Sequence, residues 1–242
     1  MRIPRIFHSQ VLVPNTSIVL DGNAGRHVAK VLRLGNGAPL RLFDGQGGEF
    51  NALIKEIGKR EVIVTVGEHR AIEVESPLKV TLAQGISKGE RMDFTIQKAV
   101  ELGVQRIVPL DTERSVVNLK GERRDKKLDH WHGVIISACE QCGRNTLPEL
   151  LPMQSLNSWL AIPQAGTGLL LDHRAHGTVT TLEKPTAFTL LIGPEGGLSE
   201  TERTKAYEAG YTGLCLGPRV LRTETAALTA LAALQSQWGD LR

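Results

Sequence analysis

Residues 190–202 read LLIGPEGGLSETE, and residues 216–231 read LGPRVLRTETAALTAL. Each stretch has an apolar run, a glycine–proline break, and then a Ser or Thr followed by acidic residues, which is typical of a helix start. The order predicts two strand–loop–helix units. Because open parallel sheets bind ligands outside the carboxyl ends of their strands, the two loops are predicted to be neighbours on one ligand-binding rim.

Alternation of strands and helices extends over the whole second part of the chain, from Leu78 onward. Strands are predicted in KVTLAQGI, QRIVPL, GLLLDHR, AFTLLIG and GLCLG. Helices are predicted after a capping box at residues 87–90, over residues 125–142, after a second capping box at Ser199 and Glu202, and from Thr223. Such alternation predicts an α/β fold, with a mostly parallel sheet covered on both faces.

Residues 1–70 follow a different pattern, in which short apolar or alternating runs are separated by DG, NG and GQGG breaks. Only AGRHVAKVLRL suggests a helical turn. Runs of this kind predict short strands, and therefore a small N-terminal β-barrel. We place the domains at residues 1–72 and 73–242, with a linker near Pro77.

Composition sets broad limits on function. The chain has 242 residues, is 41% hydrophobic but only 4% aromatic, and carries a formal net charge of +3. The mild basicity permits an anionic partner without requiring one. The sequence has neither a signal-peptide apolar region nor an apolar run near the ~18 residues of a membrane helix. With three cysteines, an odd number, these features predict a soluble cytoplasmic protein with no membrane partner.

Cys139 and Cys142 form a CEQC motif, which is compatible with a metal or redox site. A structural zinc site would need two more ligands at regular spacing, and the sequence has no second pair. We therefore expect no metal, and interpret the motif as two small residues on one helix face.

The rim loops lack the GxGxxG and GxxxxGK[ST] patterns that hold polyphosphates. Their glycines let backbone approach a flat or apolar ligand closely, although glycine–proline pairs also occur as ordinary turns. Apolar residues of the same loops would form a slot around such a ligand: Leu191, Ile192, Leu198, Leu216, Val220 and Leu221.

The two loop sequences resemble the signature pair of the SPOUT methyltransferases, in the branch that methylates N3 of a uridine in 16S ribosomal RNA. Further similar stretches are RIFH, HVAKVLRL, KGERMDFTIQKAVELGV, ERSVV and ACEQCGR. The resemblance covers essentially the whole chain, and LGPRVLRTETA is a specific motif.

This resemblance implies a C-terminal SPOUT domain with a deep trefoil knot, and an N-terminal PUA-like β-barrel that binds RNA. It also implies S-adenosylmethionine as cofactor, an obligate homodimer, and 16S ribosomal RNA in the small ribosomal subunit as substrate. A cofactor without phosphates fits the missing phosphate cradle. The implied cofactor-binding residues are Leu171, Leu191, Ile192, Gly193, Pro194, Gly196, Gly197, Leu216, Gly217, Leu221, Thr225 and Ala226.

Two residues are the catalytic candidates. Arg222 would stabilise negative charge that develops on the uracil oxygens; the alternative is that it only pins the loop through Glu224 or Glu195. Glu195 is the candidate general base, with capping of backbone N–H groups as the alternative. The RNA-binding candidates are Arg2, Arg5, His27, Lys30, Arg33, Arg114 and Arg144.

Two other functions stay open at this point. One is a non-catalytic RNA-binding factor in ribosome assembly, which the intact loops disfavour. The other is a SPOUT enzyme that acts on another RNA, such as a transfer RNA ribose, which the N-terminal barrel disfavours.

Overall fold

The structure is a computed structural model that describes residues 3–20, 22–59, 61–117, 119–164 and 166–241. Its contacts divide the chain into two compact units. Unit 1 comprises Met1–Glu75 and Cys139–Leu147, and unit 2 comprises Ser76–Ala138 and Pro148–Arg242. The first boundary lies three residues beyond the one placed at residue 72. Nothing in the sequence predicted that residues 139–147 belong to unit 1.

Unit 1 contains a five-stranded sheet in the order β1-β3-β4-β5-β2. The strands are antiparallel except for β1, which runs parallel to β3. A short helix that continues into a π-helical turn at His27–Val31 follows β2. The elements are β1 Arg5–Phe7, β2 Ser17–Leu20, α1 Gly22–Arg26, β3 Pro39–Phe43, β4 Glu49–Ile57 and β5 Val62–Arg70.

The core of unit 1 is mainly aliphatic, and buried charged groups lie in the same unit. Alternate residues of β3, β4 and β5 pack on its inner face, including Leu40, Ile54 and Val64. Glu49 is also buried, and it pairs with Arg5, with Arg41 at 3.2 Å and with Arg70 at 2.8 Å. Because a buried carboxylate needs compensating charge, this cluster accounts for three of the unit's cations.

Unit 2 is built on parallel strand pairs in the order β12-β10-β11-β6-β7, with β8 and β9 both pairing with β7. The predicted parallel sheet is confirmed. The strands are β6 Lys79–Gly85, β7 Arg106–Asp111, β8 Glu149–Leu150, β9 Gln154–Ser155, β10 Thr167–Leu171, β11 Ala187–Ile192 and β12 Thr212–Leu214. The helices are α2 Glu90–Glu101, α3 Glu122–Cys142, α4 Leu156–Leu160, α5 Glu200–Glu208 and α6 Thr223–Trp238, with a 3-10 turn at Val179–Thr181.

The two predicted capping boxes have different outcomes. At α5 the prediction is confirmed, because Ser199 accepts the Glu202 backbone N–H and Glu202 accepts the Ser199 N–H. At α2 it is wrong. There Gly89 occupies the N-cap with φ 68° and ψ −141°, a glycine conformation that turns the chain before the helix. Ser87 is left buried with no partner for its hydroxyl among the described atoms.

Cys139 and Cys142 lie in the last turn of α3, and both are free thiols. Burial raises the pKa of the Cys139 thiol to about 12, against a smaller opposite effect of Arg144. A thiol with so high a pKa is an unreactive core residue. No group of His, Cys, Asp or Glu in the described part of the chain is arranged to hold a metal ion. No described helix is long and apolar enough to cross a bilayer.

Candidate functional site

A cavity of about 510 Å³ lies where β10, β11 and β12 end. These strands are neighbours in the sheet, so the loops that follow them meet at one rim. The loop after β11 contains GPEGG, and the loop after β12 contains LGPRVLR. The two quoted loops therefore face the same space, as the sequence predicts.

The cavity wall contains all the predicted cofactor-binding residues except Leu191 and Thr225. Leu191 alternates with Ile192 along β11 and packs into the core with Ala83 and Val108. Thr225 is exposed on α6. Several wall residues were not among the predicted site residues. Of these, Asp172 was the easiest to predict from the sequence, because it directly follows β10. The others include Arg91, Leu170, Arg174, Arg203, Leu214 and Arg219.

Thr223 joins the two loops. Its hydroxyl donates to the Gly193 carbonyl at 2.6 Å and accepts from the Gln84 side-chain amide at 2.9 Å. The loop after β11 is also tightly packed, since a Cβ on Gly85 would lie 2.6 Å from the Pro194 ring. These contacts fix the start of α6 against the end of β11, and so fix the residues on either side of Thr223.

Glu195 is held by donors at the rim. Its Oε1 accepts the Lys88 backbone N–H at 2.9 Å and the Arg91 guanidinium at 2.9 Å. Burial alone would raise the pKa of Glu195, but hydrogen bonds from its own backbone, from Arg91 and from Lys88 outweigh it and lower the pKa. A carboxylate with a lowered pKa is a weaker base, so this geometry favours the capping interpretation.

Arg222 is exposed at the N-cap of α6 and lines the cavity. Its side chain makes no hydrogen bond or ion pair with any residue that the structure describes. Glu195 pairs with Arg91 instead. Nothing in the described residues therefore supports the interpretation that Arg222 merely pins the loop.

Asp172 is a third charged residue at the rim, and its carboxylate is nearly buried. It accepts the Arg174 backbone N–H at 3.0 Å and the Tyr207 hydroxyl at 3.3 Å, and Arg203 Nε lies 3.7 Å away. The pKa of Tyr207 is raised, first by burial and then by the nearby Asp172 charge. Tyr207 therefore stays protonated and donates a hydrogen bond to Asp172.

The predicted RNA-binding residues that the structure describes separate into three groups: exposed residues of unit 1, Arg114 at the cavity, and the enclosed Arg5 and Arg144. His27, Lys30 and Arg33 are exposed on unit 1. Arg114 lines the cavity and donates to the Gly196 carbonyl at 3.1 Å. Arg2 lies outside the described residues.

Arg5 and Arg144 are structural in unit 1, so their predicted RNA contact is not retained. The Arg5 side chain is 8% exposed and pairs with Glu49. The Arg144 side chain is 4% exposed and makes two hydrogen bonds to Glu75. Guanidinium groups enclosed and neutralised in this way are not available to phosphates.

Two family models match the chain. Residues 74–235 match an RNA methyltransferase domain, and residues 20–67 match an RNA methyltransferase PUA domain. The ribosomal RNA small subunit methyltransferase E of Buchnera aphidicola subsp. Schizaphis graminum is 38% identical over 242 residues, which cover 99% of this chain and 98% of the relative. The Bacillus subtilis protein of the same name is 31% identical over 233 residues, which cover 92% and 91%.

Solved structures are similar over the full length. A ribosomal RNA small subunit methyltransferase E from Neisseria gonorrhoeae, bound to S-adenosyl methionine, is 40% identical with a TM-score of 0.95, and all of both chains is covered. A Legionella pneumophila protein in complex with the same cofactor is 43% identical with a TM-score of 0.97, again over all of both chains.

Proposed function

Because the chain belongs to the RNA methyltransferase family that includes the ribosomal RNA small subunit methyltransferase E proteins, we propose that it transfers a methyl group from S-adenosylmethionine to N3 of a uridine in 16S ribosomal RNA. One observation carries the proposal. The GPEGG and LGPRVLR loops form a single cavity whose wall contains an exposed arginine without an ion pair among the described residues.

The apolar part of the cavity wall suits S-adenosylmethionine. Its apolar residues, including Ile192, Leu198 and Leu221, suit an adenine and a thioether chain. A side chain at Gly193 would come within 2.7 Å of the Leu198 N–H, so glycine is needed where the loop closes on itself. Bound there, the cofactor supplies an electrophilic methyl group on a positively charged sulfur. The loops hold the ligand mainly through backbone and apolar surface.

Arg222 is the proposed catalytic residue on the uridine side. Loss of the N3 proton spreads negative charge over O2 and O4 of the uracil ring. A guanidinium in the cavity wall stabilises that charge as it develops. The hydrogen bonds of Thr223 support this role, since they anchor the residue that follows Arg222.

We assign Glu195 a positioning role. Its two donors come from Lys88 and Arg91, at the start of α2, so it ties the GPEGG loop to the segment that follows β6. The lowered pKa keeps its carboxylate ionised, as this contact requires.

RNA binding is assigned to the exposed cations of unit 1 and to Arg114 at the rim. Lys30 also lines a second cavity of about 340 Å³ in unit 1, together with Arg26 and Lys59. Because the chain has few aromatics for stacking on bases, phosphate contacts would dominate, and RNA affinity would fall steeply with salt. The substrate is 16S ribosomal RNA in the small ribosomal subunit, and the protein acts in the cytoplasm.

We also propose a homodimer that includes α6. Ala227, Ala230, Leu231 and Leu234 are buried within the protomer, yet Leu228, Ala232 and Ala233 leave a second, half-buried apolar face. Phe94, on the neighbouring α2, is 47% exposed. A helix with two apolar faces is typical of an interface. Static light scattering should give the dimer mass at micromolar concentration, and a monomeric mass would contradict the interface.

A deep trefoil knot around α6 is part of the same proposal. Its support is the position of Thr223, which is bonded to both Gly193 and Gln84 and so lies between the segments that end β11 and β6. The chain trace in an experimental electron-density map tests it.

Mass spectrometry of 16S ribosomal RNA from a strain that lacks this gene tests the main proposal. We expect one methyluridine to be lost and to return when the gene is restored. Unchanged RNA would leave a non-catalytic RNA-binding role, which calorimetry with S-adenosylmethionine would then examine.

A further inference from the structure

The proposed reaction releases the N3 proton of uridine, and three carboxyl side chains in the described cavity wall are candidates to accept it: Asp172, Glu195 and Glu224. A proton acceptor must have a free lone pair that faces the substrate. The partners of each carboxylate therefore decide among them.

Asp172 and Glu195 are already engaged. Asp172 accepts from a backbone N–H and from Tyr207, with Arg203 nearby, and Glu195 accepts from Lys88 and Arg91. Each carboxylate thus holds a cation or a loop in place. Proton uptake by either group would break the contacts that shape the cavity.

Glu224 is different. It lies in the first turn of α6, two residues after Arg222, and directly follows the anchored Thr223. Its Oε2 is enclosed by protein without a hydrogen-bond partner among the described atoms, whereas its Oε1 is not enclosed, makes no described hydrogen bond, and belongs to a half-buried side chain in the cavity wall. Nor does any described cation lie within ion-pair distance of it. The Glu224 carboxylate therefore has an oxygen with an unengaged lone pair at the cavity, and this oxygen can accept a proton from a ligand.

The geometry points to Glu224 as the general base, an inference that rests on the proposed function. The N3–H bond breaks and its proton passes to the Glu224 carboxylate. The N3 electron pair forms the bond to the methyl carbon, and the electrons of the carbon–sulfur bond remain on sulfur, which becomes a neutral thioether. Arg222 stabilises the negative charge on the uracil oxygens while Glu224 accepts the proton. Two residues at the start of α6 therefore have the two catalytic roles.

Glu224→Gln tests the assignment, since it keeps the shape of the side chain but removes the basic oxygen. General-base catalysis is typically worth 10²–10⁴-fold, so we expect a single-turnover rate lower by that factor. The affinity for S-adenosylmethionine, measured by calorimetry, and the Tm should stay close to wild type. As pH rises, hydroxide replaces the missing base, and the variant rate should increase while the wild-type rate changes little.

RNA that contains 5-fluorouridine sharpens the test, because fluorine at C5 makes the N3 proton more acidic and reduces the need for a base. The Glu224→Gln defect should shrink on this RNA. The matched control is Glu195→Gln, whose defect should be the same on both RNAs because that carboxylate only positions a loop.

Two results would overturn the assignment. One is a Glu224→Gln defect that neither high pH nor 5-fluorouridine relieves. The other is a loss of cofactor affinity in proportion to the loss of rate. Failure of the proposed function itself looks different, since the wild-type protein would then transfer no methyl group to either RNA.

Discussion

At the scale of single residues, Arg222 is an exposed cation that shares the cavity wall with Glu195 and Glu224 and forms no ion pair with either. We predict that Arg222→Ala lowers the methyl-transfer rate by about 10²–10³, as expected for one lost donor to the developing charge. Arg222→Lys should recover only part of the rate, since an ammonium cannot reproduce a planar fork. Single-turnover kinetics and calorimetry on both variants measure these effects.

Cofactor binding and thermal stability are the controls for the Arg222 variants. Affinity for S-adenosylmethionine and the Tm should be nearly unchanged in both variants. If affinity falls as much as the rate, Arg222 is a structural residue of the loop and has no catalytic role.

Single residues also show where sequence reasoning succeeds. The Ser199 cap was predictable because its partner Glu202 is three positions away. The burial of Arg144 was not, since its partner Glu75 is 69 residues distant and belongs to a segment that the sequence places in a linker. For Ser87 the local pattern was present, but the backbone of Gly89 overrode it.

At the scale of elements, the two serines that precede α2 and α5 form a natural comparison. We predict that Ser199→Ala lowers the free energy of unfolding by about 1 kcal/mol, because it removes the acceptor for the Glu202 N–H. Ser87→Ala should cost less, since the Ser87 hydroxyl has no partner among the described atoms. Urea denaturation of both variants checks the difference, and equal costs would contradict the assigned caps.

Asp93 links α2 to α3 and should make stability depend on pH. Burial would raise its pKa, but hydrogen bonds from His130, Lys127 and Trp131 outweigh this and lower the pKa below 3.8. The unfolded state then binds the proton more readily. The link is therefore fully present above pH 3.8 and is lost as pH falls through the folded pKa.

Asp93→Asn should accordingly reduce stability most near neutral pH, with a gap from wild type that narrows below pH 3.8. Urea midpoints across this range measure the gap. Asp129→Asn is the matched control on α3, because Asp129 is exposed and makes no ion pair among the described residues, so its replacement should leave the urea midpoint close to wild type. A constant gap for Asp93→Asn would show that the link is not ionic.

Elements with clear apolar periodicity were predictable, and several short elements without it were not. The helix in residues 125–142 and the strands β10 and β11 carry enough periodicity to be recognised. The elements β1, β8, β9 and α4 span two to five residues each, and only pairing with distant strands or packing in the core defines them.

At the scale of the whole molecule, the loops of unit 2 combine into a cavity, and neither loop carries a polyphosphate-binding sequence pattern. We predict that S-adenosylmethionine raises the Tm and that ATP does not. A ligand that binds only the native state stabilises it by about 2.7 kcal/mol at a hundredfold excess over its Kd. Differential scanning fluorimetry with both ligands measures the effect, and equal stabilisation by ATP would contradict a pocket for a cofactor without phosphates.

The position of the cavity was predictable because both of its loops follow apolar strands in the sequence. The full set of wall residues was not predictable, since Asp172, Arg91 and Arg203 come from three separate segments that only the folded chain brings together.

The most direct measurement is in vitro methylation of 16S ribosomal RNA taken from a strain that lacks the gene. The purified protein is incubated with this RNA, free or in small subunits, and labelled S-adenosylmethionine, and the product nucleosides are identified by mass spectrometry. We predict label in one N3-methyluridine with the wild-type protein, and a strongly reduced amount with Arg222→Ala. Label on a ribose or on another base, or no label on either form of the RNA, would contradict the proposed function.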